Sequence, residues 1–563
     1  MKGLRISATI TEYDIKHKLN AEKGERLKDV LDREKVSYSL PCGGDTGCGM
    51  CRVRFLKGAP EADSYEADVL SDGELAEGVR LLCRCVLSED CDIKLGQQAL
   101  EKDMSIEALD SKVGEQTIHG NAEMAETDSR TSNNKLQESY GIAVDLGTTT
   151  IAAALVKGNG NMIAADEAAK SERGSYKIVR TASCVNSQRK FGGDVISRIS
   201  AAEDETILNE LSALAASDIE SLIKELSAAE GISCEGENSD LKAITIAGNT
   251  TMLNLLAGRD VSGLGKYPYT SDFLDLEHIP SEKILPNIPG IQLTLLPGIS
   301  GFVGADIVSG LFALDVSPGE KIFFLDLGTN GEMAFYDGNE LKVTSTAAGP
   351  VFEAGGISDG APSVPGAISH VKIEPGTHTV TYETIGGKPP IGICGTGVME
   401  IVSELYRNGI IDETGLLADK YFDKGFPVTE DGKIRFTQKD IRNVQLAKAA
   451  ILTGAKALLQ EKKPDRVYIA GGFGSNISQE NISGLRMFPP EFDGKIEAVG
   501  NSALKGAALF TKRTLAGQKA QKEAEGKLDL ITGKAKVIQL AELDSFDEEY
   551  IDAMNFGARE DNL

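Results

Sequence analysis

The chain has 563 residues, of which 41% are hydrophobic and 26% charged, values typical of a globular protein with two to four domains. Its 59 Lys and Arg residues against 85 Asp and Glu residues give a formal net charge of −26, which argues against nonspecific binding to nucleic acid or to anionic membranes. We find no signal-peptide core and no apolar run of about 18 residues, so we expect no membrane span.

The nine cysteines are concentrated near the N-terminus. Three of them, Cys42, Cys48 and Cys51, follow a C-x5-C-x2-C spacing in a glycine-rich stretch. Four convergent thiolates hold a two-iron cluster, and glycines let backbone N–H groups approach the sulfurs. Disulfide frameworks belong mainly to short secreted chains, so we expect reduced thiols and a cytoplasmic location. The five histidines are far apart and do not indicate a histidine-based metal site.

Residues 1–98 are predicted to form a small mixed sheet crossed by one helix. The patterns indicate these elements: strands over 3–10, 13–20, 51–56 and 91–95, a strand through Cys83, a helix over 26–33 and a carboxylate-rich helical piece over 61–77. With the cysteine loop at one edge, this order resembles the β-grasp fold of 2Fe-2S ferredoxins, and the cysteine spacing is similar to the adrenodoxin type. The resemblance implies that Cys83, in L-L-C-R, is the fourth cluster ligand. Cys85 remains an alternative, because residues two apart share a face of an ideal strand.

The next 40 residues differ in composition. Residues 99–138 contain nine Asp or Glu against four Lys or Arg and few aromatic residues, which is typical of a partly flexible linker. Such a linker would let a small redox domain change position.

A tetrapeptide, D-L-G-T, occurs twice after residue 138. It begins at Asp145 and again at Asp326, each time between two strand patterns, over 141–156 and 322–336, which indicates an internal duplication. The Gly-Thr turn offers backbone N–H groups and hydroxyls to phosphate oxygens. The aspartate at the strand end suits Mg²⁺ bound through water. Two such hairpins facing across a cleft would clamp the β- and γ-phosphates of a nucleotide.

Further glycine- and threonine-rich segments accompany the duplication. They are a strand, turn and helix over 243–256, a small-residue helix over 301–311, glycine-rich turns over 348–358 and 393–400, a strand with a Gly-Gly turn over 467–476, and a small-residue helix over 500–509. Asn249 and Thr250 follow a buried strand, where ligands meet open α/β sheets, although either residue could equally cap the helix.

In this order the segments resemble phosphate-1, connect-1, phosphate-2, adenosine and connect-2 of the acetate kinase, sugar kinase, heat-shock chaperone and actin superfamily. The resemblance implies that Asp145 and Asp326 hold Mg²⁺. It also implies that phosphates are held by Gly147, Thr148, Thr149, Gly328, Thr329 and Asn330, and that adenosine is lined by Gly471, Gly472 and Phe473. We add Asn249 and Thr250, from their place at a strand end, and Gly395, from its glycine-rich turn, to the predicted ATP site. Glu332 and Asp306 are candidates for orienting the attacking water, and we favour Glu332 as the third catalytic residue.

The expected fold class is α+β and α/β multidomain. It comprises an N-terminal β-grasp ferredoxin domain (1–98), a linker (99–138) and a duplicated ribonuclease H-like ATPase. We expect the ATPase to divide into a first subdomain (139–235) and a larger domain (236–563).

A ferredoxin domain tethered to such an ATPase resembles the ATP-dependent reductive activators of corrinoid proteins. Matching segments are C-V-N-S-Q…F-G-G-D-V-I-S-R-I (184–199), A-G-N-T-T-M, D-L-G-T-N-G-E and F-E-A-G-G-I. At 186–188 the chain has N-S-Q where the family tends to have N-P-Q, a change that we do not expect to alter function. The resemblance implies reduction of a Co(II) corrinoid protein to Co(I), with a 2Fe-2S cluster, ATP and Mg²⁺. It also implies a low-potential electron donor upstream and a possible homodimer.

Three other functions remain open from the residues. One is a redox sensor, in which the cluster regulates the ATPase without delivering electrons. Another is an activator of 2-hydroxyacyl-CoA dehydratases; those activators carry a four-iron cluster between subunits and lack a ferredoxin domain, so the cysteine motif argues against it. A plain sugar or acetate kinase is disfavoured for the same reason.

Overall fold

The structure is a computed structural model. It describes residues 5–12, 15–34, 36, 38, 51–70, 72–95, 139–158, 177–234, 239–271, 273–314, 316–317, 319–471, 484–544 and 546–557. Cys42 and Cys48, the predicted linker, and Gly472 and Phe473 lie outside the described residues. Within the described part, none of the helices has both the length and the apolar character needed to cross a membrane.

The N-terminal part is a five-stranded mixed sheet with the order β2-β1-β5-β3-β4, in which β1 is antiparallel to β2 and parallel to β5. Its elements are β1 (Arg5–Glu12), β2 (Ile15–Glu22), α1 (Leu27–Arg33), β3 (Arg52–Lys57), α2 (Ser64–Val69), α3 (Asp72–Ala76), β4 (Val79–Leu81) and β5 (Cys91–Leu95). On β3, Val53 and Phe55 are buried while the arginines between them are exposed, the alternation expected of a strand with one face on a core. Leu27, Val30 and Leu31 of α1 complete that core. The predicted β-grasp fold is therefore confirmed.

One local prediction in this part was wrong, and another is confirmed with a break in the helix. The predicted strand through Cys83 ends at Leu81, and residues 82–84 form a 3₁₀ turn. The helical piece predicted over 61–77 is present as two short helices, α2 and α3. Asp63 caps the start of α2 in a reciprocal pair with Glu66, and α2 ends at Val69. The turn at 82–84 means that Cys83 and Cys85 do not share a strand face.

The first large sheet has the strand order β10-β11-β9-β6-β7-β8. Its strands and the helices between them are β6 (Ser139–Leu146), β7 (Thr150–Gly158), β8 (Lys177–Val185), α4 (Val195–Ala201), α5 (Glu205–Glu230), β9 (Leu241–Gly248), α6 (Thr250–Leu256), β10 (Glu277–Pro280) and β11 (Gln292–Leu295). The strands β6 and β7 are buried along almost their whole length, which their Ile, Val and Ala residues permit.

The second large sheet has the order β21-β20-β12-β13-β14-β22. The elements of this half are α7 (Ala305–Ala313), β12 (Ile322–Leu327), β13 (Gly331–Tyr336), β14 (Leu341–Thr346), β15 (Ala367–Ile373), β16 (Val380–Thr384), β17 (Gly392–Ile393), α8 (Gly395–Arg407), α9 (Asp419–Phe422), β18 (Phe426–Pro427), β19 (Arg435–Phe436), α10 (Gln438–Leu459), β20 (Arg466–Ala470), β21 (Ile496–Gly500), α11 (Ser502–Leu515), α12 (Gln518–Lys534), β22 (Ala535–Val537) and α13 (Phe546–Met554).

The two large sheets have equivalent topology. In the first, β6, β7 and β8 are antiparallel neighbours and β9 lies parallel to β6. In the second, β12, β13 and β14 are antiparallel neighbours and β20 lies parallel to β12. The duplication predicted from the repeated tetrapeptide is therefore visible in the fold, which agrees with the predicted class.

The expected division at 235/236 is not where the two halves separate. Strand β9 follows that position and pairs with β6, which precedes it, so the boundary falls within one hydrogen-bonded sheet. Helix α11 also returns from the far end of the chain to pack on β6, β7 and β9, and Leu504 and Phe510 join their core. The first half is therefore built from two separated parts of the sequence.

Two small-residue helices join the halves. Helix α7, which leads into the second sheet, packs closely on α11, and the Ser309 hydroxyl donates to the Ala503 carbonyl at 2.7 Å. Because small side chains let the two backbones approach, this crossing brings the ends of β6 and β12 together at one cleft.

Candidate cluster site and nucleotide cleft

The structure brings two of the four predicted cluster ligands together. The Sγ atoms of Cys51 and Cys83 are 3.3 Å apart, and both side chains are buried. The backbone fixes this approach, because the Leu82 N–H donates to the Cys51 carbonyl at 2.7 Å. The neighbouring sulfur lowers the pKa of the Cys51 thiol to about 7. Two thiols this close suit two ligands of one iron atom.

Cys85, the alternative ligand, points elsewhere. Its Sγ donates to the Leu81 carbonyl at 3.3 Å, and the side chain is buried in the core of the N-terminal sheet. Burial raises the pKa of this thiol well above its ordinary value, so the thiolate that binds iron is disfavoured there. The geometry therefore favours Cys83.

The predicted magnesium aspartates occupy equivalent positions in the two halves. Asp145 is the penultimate residue of β6, and Asp326 has the same place on β12. In the parallel ladders their partners are Ala247 and Ala470, whose small side chains leave room on that side of each carboxylate. On the antiparallel side Asp145 pairs with Ala152, whereas Asp326 pairs with Glu332. Asp145 also accepts a hydrogen bond of 2.8 Å from Asn501, which caps α11.

Among the carboxyl residues at this cleft, Glu332 is buried and Asp145, Asp306 and Asp326 are half-buried, and these four groups interact with one another. Burial raises the pKa of Asp145 to about 7 and that of Asp326 to about 8, and the charge of Asp306 adds to both shifts. Burial likewise raises the pKa of Asp306 to about 6 and that of Glu332 well above its ordinary value. A cation bound here would relieve the repulsion.

A divalent cation fits this arrangement through water rather than by a closed protein shell. Among the described residues, no three acidic, cysteine or histidine side chains are close enough to form a metal site by themselves. Mg²⁺ keeps several waters and is usually completed by substrate phosphates. The carboxylates of Asp145 and Asp326 are suitable partners for such waters.

The two predicted phosphate turns connect the strands that carry these aspartates. In residues 147–149 the Gly147 N–H donates to the Thr150 carbonyl at 3.1 Å; in residues 328–330 the Gly328 N–H donates to the Asn330 carbonyl at 3.1 Å. The two turns meet at one side chain, because the hydroxyls of Thr149 and Thr329 both donate to Glu353 Oε2, at 3.5 and 3.4 Å.

A buried polar segment supports the first turn from behind. Asn186 donates through its side chain to the Gly147 carbonyl, and its backbone N–H donates to the Thr149 carbonyl, both at 2.9 Å. Arg198 is fully buried and donates to the carbonyls of Thr148 and Gly192, at 2.5 and 2.8 Å. These contacts satisfy carbonyls that would otherwise be unpaired, so the turn is held rigidly.

The serine in N-S-Q has partners of its own. The backbone N–H and the hydroxyl of Ser187 donate to the two carboxylate oxygens of Asp218 on α5, at 2.8 and 2.9 Å. Proline in this place would have neither donor. The substitution relative to the family pattern is therefore accompanied by an acceptor that uses both groups.

We expect Ser187→Pro to lower the free energy of unfolding by about 1–3 kcal/mol, because Asp218 would remain partly buried without its donors. The backbone itself should accept proline, since position 187 begins a 3₁₀ turn. Urea denaturation measures the change, with Ser187→Ala, which keeps the N–H donor, as the control. Recovery of stability in the Ser187→Pro/Asp218→Leu double variant would confirm the cause; equal stability of wild type and Ser187→Pro would contradict it.

The other predicted nucleotide residues have mixed placements. Asn249 caps α6 by accepting from the Thr251 N–H, and the Thr250 hydroxyl donates to the Ser300 carbonyl at 2.7 Å; both side chains are buried. Gly471 has a φ of +90°, and a Cβ there would lie 3.3 Å from Asp326 Oδ1, so the chain passes close to that carboxylate. Their contacts with a nucleotide remain predictions.

Gly395 was predicted in a glycine-rich turn, but it is the first residue of the 13-residue helix α8. It is buried, and a Cβ there would lie 1.8 Å from the Phe352 carbonyl oxygen. Its place in the fold is to let α8 pack directly beneath the 3₁₀ turn 350–353, which carries Glu353.

Two residues of the cleft were missed from the sequence, Glu353 and Asn501. Glu353 lies in A-G-P-V-F-E-A-G-G-I, where the glycines predict a turn close to a ligand and no pattern indicates a role for the carboxylate. Asn501 precedes a small-residue helix, so its position in the sequence predicts only an N-cap. It does cap that helix in the structure. The bond from Asn501 to Asp145 joins residues 356 positions apart, so no local pattern could have indicated it.

Three family models match consecutive parts of the chain. One described as a 2Fe-2S iron-sulfur cluster binding domain matches residues 10–88. One described as the RACo middle region matches residues 140–318, and one described as the C-terminal domain of RACo, the ASKHA domain, matches residues 320–563. The chain therefore combines an iron–sulfur domain with an ATP-binding one.

Individual relatives agree with these matches. The corrinoid activation enzyme RamQ of Eubacterium limosum is 30% identical over 457 residues, covering 76% of this chain and 72% of that protein. The Co(II) methylated amine-specific corrinoid protein reductase of Methanosarcina barkeri is 26% identical over 302 residues, 48% of this chain and 51% of that one. The solved structure of a reductive activator for corrinoid, iron-sulfur protein superposes with a TM-score of 0.62 at 25% identity, covering 98% of each chain. The chain belongs to the family of reductive activators of corrinoid proteins.

Proposed function

We propose that this protein uses ATP to reduce the inactive Co(II) form of a corrinoid protein to Co(I), delivering one electron from a 2Fe-2S cluster. The observation that carries the proposal is the presence, in one chain of this family, of a paired-thiol site and a duplicated phosphate cleft. We further propose a low-potential electron carrier as the upstream donor, and a cytoplasmic location. The seven cysteines that the structure describes form no disulfide, which supports that location.

The ligands that we assign to the cluster are Cys42, Cys48, Cys51 and Cys83. When bound, such a cluster supplies one electron at a potential of about −400 mV. The chain shields two of these ligands from solvent, because Cys51 and Cys83 are almost fully buried and pack on the core of the N-terminal sheet. Arg26 donates to the Cys83 carbonyl at 3.3 Å, which keeps a positive charge beside an anionic site.

ATP is needed because the reduction potential of the Co(II) corrinoid lies below that of the cluster, so electron transfer is unfavourable without an added source of free energy. Each 100 mV of shortfall costs about 2.3 kcal/mol for one electron. The cleft can supply that energy only if its nucleotide state changes the partner, so we propose that the ATPase halves dock on the Co(II) protein and alter its cobalt ligation. Asp145 and Asp326 would hold Mg²⁺ through water, and the two phosphate turns would bind the β- and γ-phosphates.

We expect the reduced protein to convert a Co(II) corrinoid protein to Co(I) at least tenfold faster with Mg-ATP than without nucleotide, which corresponds to about 1.4 kcal/mol or more of coupling. The measurement is the optical change of the corrinoid, with the reduced protein as the only electron source. Mg-ADP is the matched nucleotide control.

Equal rates with and without Mg-ATP would contradict the role of ATP. A redox sensor would give a different result, since nucleotide turnover would respond to the cluster's oxidation state while no electron reached the cobalt. Counting electrons lost by the protein against Co(I) formed separates these two functions.

A further inference from the structure

Glu353 is the side chain at which the two halves of the cleft meet. Its Oε2 atom accepts from the hydroxyl of Thr149 in the first phosphate turn and of Thr329 in the second, at 3.5 and 3.4 Å. Its negative charge also contributes to the raised pKa of Asp326. The carboxylate is therefore directed to the space between the two turns, and its residue is exposed to solvent.

The turn that carries Glu353 is held from several sides. Helix α8 packs beneath it at Gly395, as described above. The Gly355 N–H donates back to the Pro350 carbonyl at 2.8 Å, and Asn443 of α10 donates to the Gly356 carbonyl at 2.8 Å. The backbone position is thus set by the fold, while the hydrogen bonds from the Thr149 and Thr329 hydroxyls to the side chain are long and come from groups that a phosphate would also attract.

The other two candidates for orienting water are already engaged. Glu332 is 7% exposed and hydrogen-bonds with the Asn330 side chain. Asp306 accepts from the Ile307 N–H at the start of α7, at 2.8 Å. Glu332 is buried and Asp306 half-buried, whereas Glu353 is exposed, so neither is as well placed as Glu353 to accept a proton and pass it to solvent.

We propose that Glu353 is the catalytic base of ATP hydrolysis, the residue that orients and deprotonates the attacking water. The inference deepens the proposed function and rests on it. Without nucleotide, the carboxylate accepts the hydrogen bonds of the Thr149 and Thr329 hydroxyls that a phosphate would otherwise accept. When ATP binds, the γ-phosphate oxygens accept from those hydroxyls and the carboxylate is released to accept from a water.

The step balances without a further reactant. The water oxygen forms a bond to the γ-phosphorus as the bond from that phosphorus to the bridging oxygen of ADP breaks. One water proton passes to the Glu353 carboxylate and from there to solvent, and the products are ADP and phosphate. Phosphate release would let the carboxylate return to the two threonines.

We expect Glu353→Gln to lower kcat for ATP hydrolysis by about 10²–10⁴-fold, the usual contribution of a positioned acid or base. Glutamine keeps the size and an acceptor oxygen but cannot take the proton. The affinity for a non-hydrolysable ATP analogue should change at most a few-fold, or tighten, because a negative charge near the phosphates is removed. The assay uses the full-length protein with Mg-ATP and no corrinoid protein.

The matched control is Glu374→Gln, which removes the same charge from an exposed turn between β15 and β16. It should leave kcat and analogue binding unchanged. The inference is overturned if Glu353→Gln turns over ATP within a few-fold of the wild type, or if weaker analogue binding accounts for the whole loss. Wild-type protein that hydrolyses no ATP would overturn the proposed function first, and the inference with it.

Discussion

Replacing Cys83 by alanine is expected to abolish the iron–sulfur cluster. Its sulfur lies 3.3 Å from that of Cys51, so its loss leaves one iron a ligand short. Iron content should fall from about two atoms per chain to near zero, together with the visible absorbance of the cluster. Reduction of the corrinoid protein should stop, while ATP hydrolysis by the separate cleft should persist.

The matched control for this experiment is Cys85→Ala. Its thiol lies in the core and bonds to the Leu81 carbonyl, so this variant should keep both iron and absorbance. Its cost should be a small loss of stability from lost packing. The assignment of the fourth ligand would be reversed if Cys83→Ala retained the cluster and Cys85→Ala lost it.

Replacing Asp326 by asparagine is expected to lower ATP hydrolysis by at least about 10²-fold, the usual effect of removing one well-placed electrostatic group from a reaction site. Asparagine keeps the shape of the side chain but not the charge that Mg²⁺ requires. The cluster spectrum should be unchanged, because none of the cleft contacts given for the described residues comes from the iron–sulfur domain. Steady-state hydrolysis and the absorbance spectrum measure the two effects.

The same variant should be no less stable than the wild type. Asp326 is half-buried beside the charges of Asp306 and Asp145, so removing its charge relieves repulsion and desolvation. Thermal unfolding without nucleotide tests this, with Asp529→Asn on the exposed face of α12 as a control of equal charge. Near wild-type hydrolysis by Asp326→Asn would rule out the assigned role.

Much of the fold could be predicted because its signals are local. A strand such as β3 alternates buried and exposed residues, and the helix predicted over 26–33 is found as α1. Where a local signal was ambiguous, the prediction failed. The pattern around Cys83 predicted a strand, but Cys83 lies in a 3₁₀ turn. The pattern around Gly395 predicted a turn, but Gly395 begins a helix. In both places packing against distant segments decides the backbone.

The division of the ATPase into two halves was also mispredicted because it depends on contacts between distant segments. Nothing in the sequence near residue 235 reveals that β9 will pair with β6, or that α11 will return to their core. Hydrogen bonding between strands far apart in the chain leaves no periodic pattern in either strand. Composition alone therefore could not separate the two halves correctly.

The sequence by itself determined which chemical groups this protein carries: the cysteine spacing, the two D-L-G-T turns and the order of the glycine-rich segments. Those groups are encoded locally, since a loop or hairpin needs only the right residues at short spacing. The tertiary structure alone decided which cysteine reaches Cys51, and which carboxylate bridges the turns of Thr149 and Thr329. Both depend on contacts between distant segments, and such contacts form only when burial of the shared cores brings those segments together.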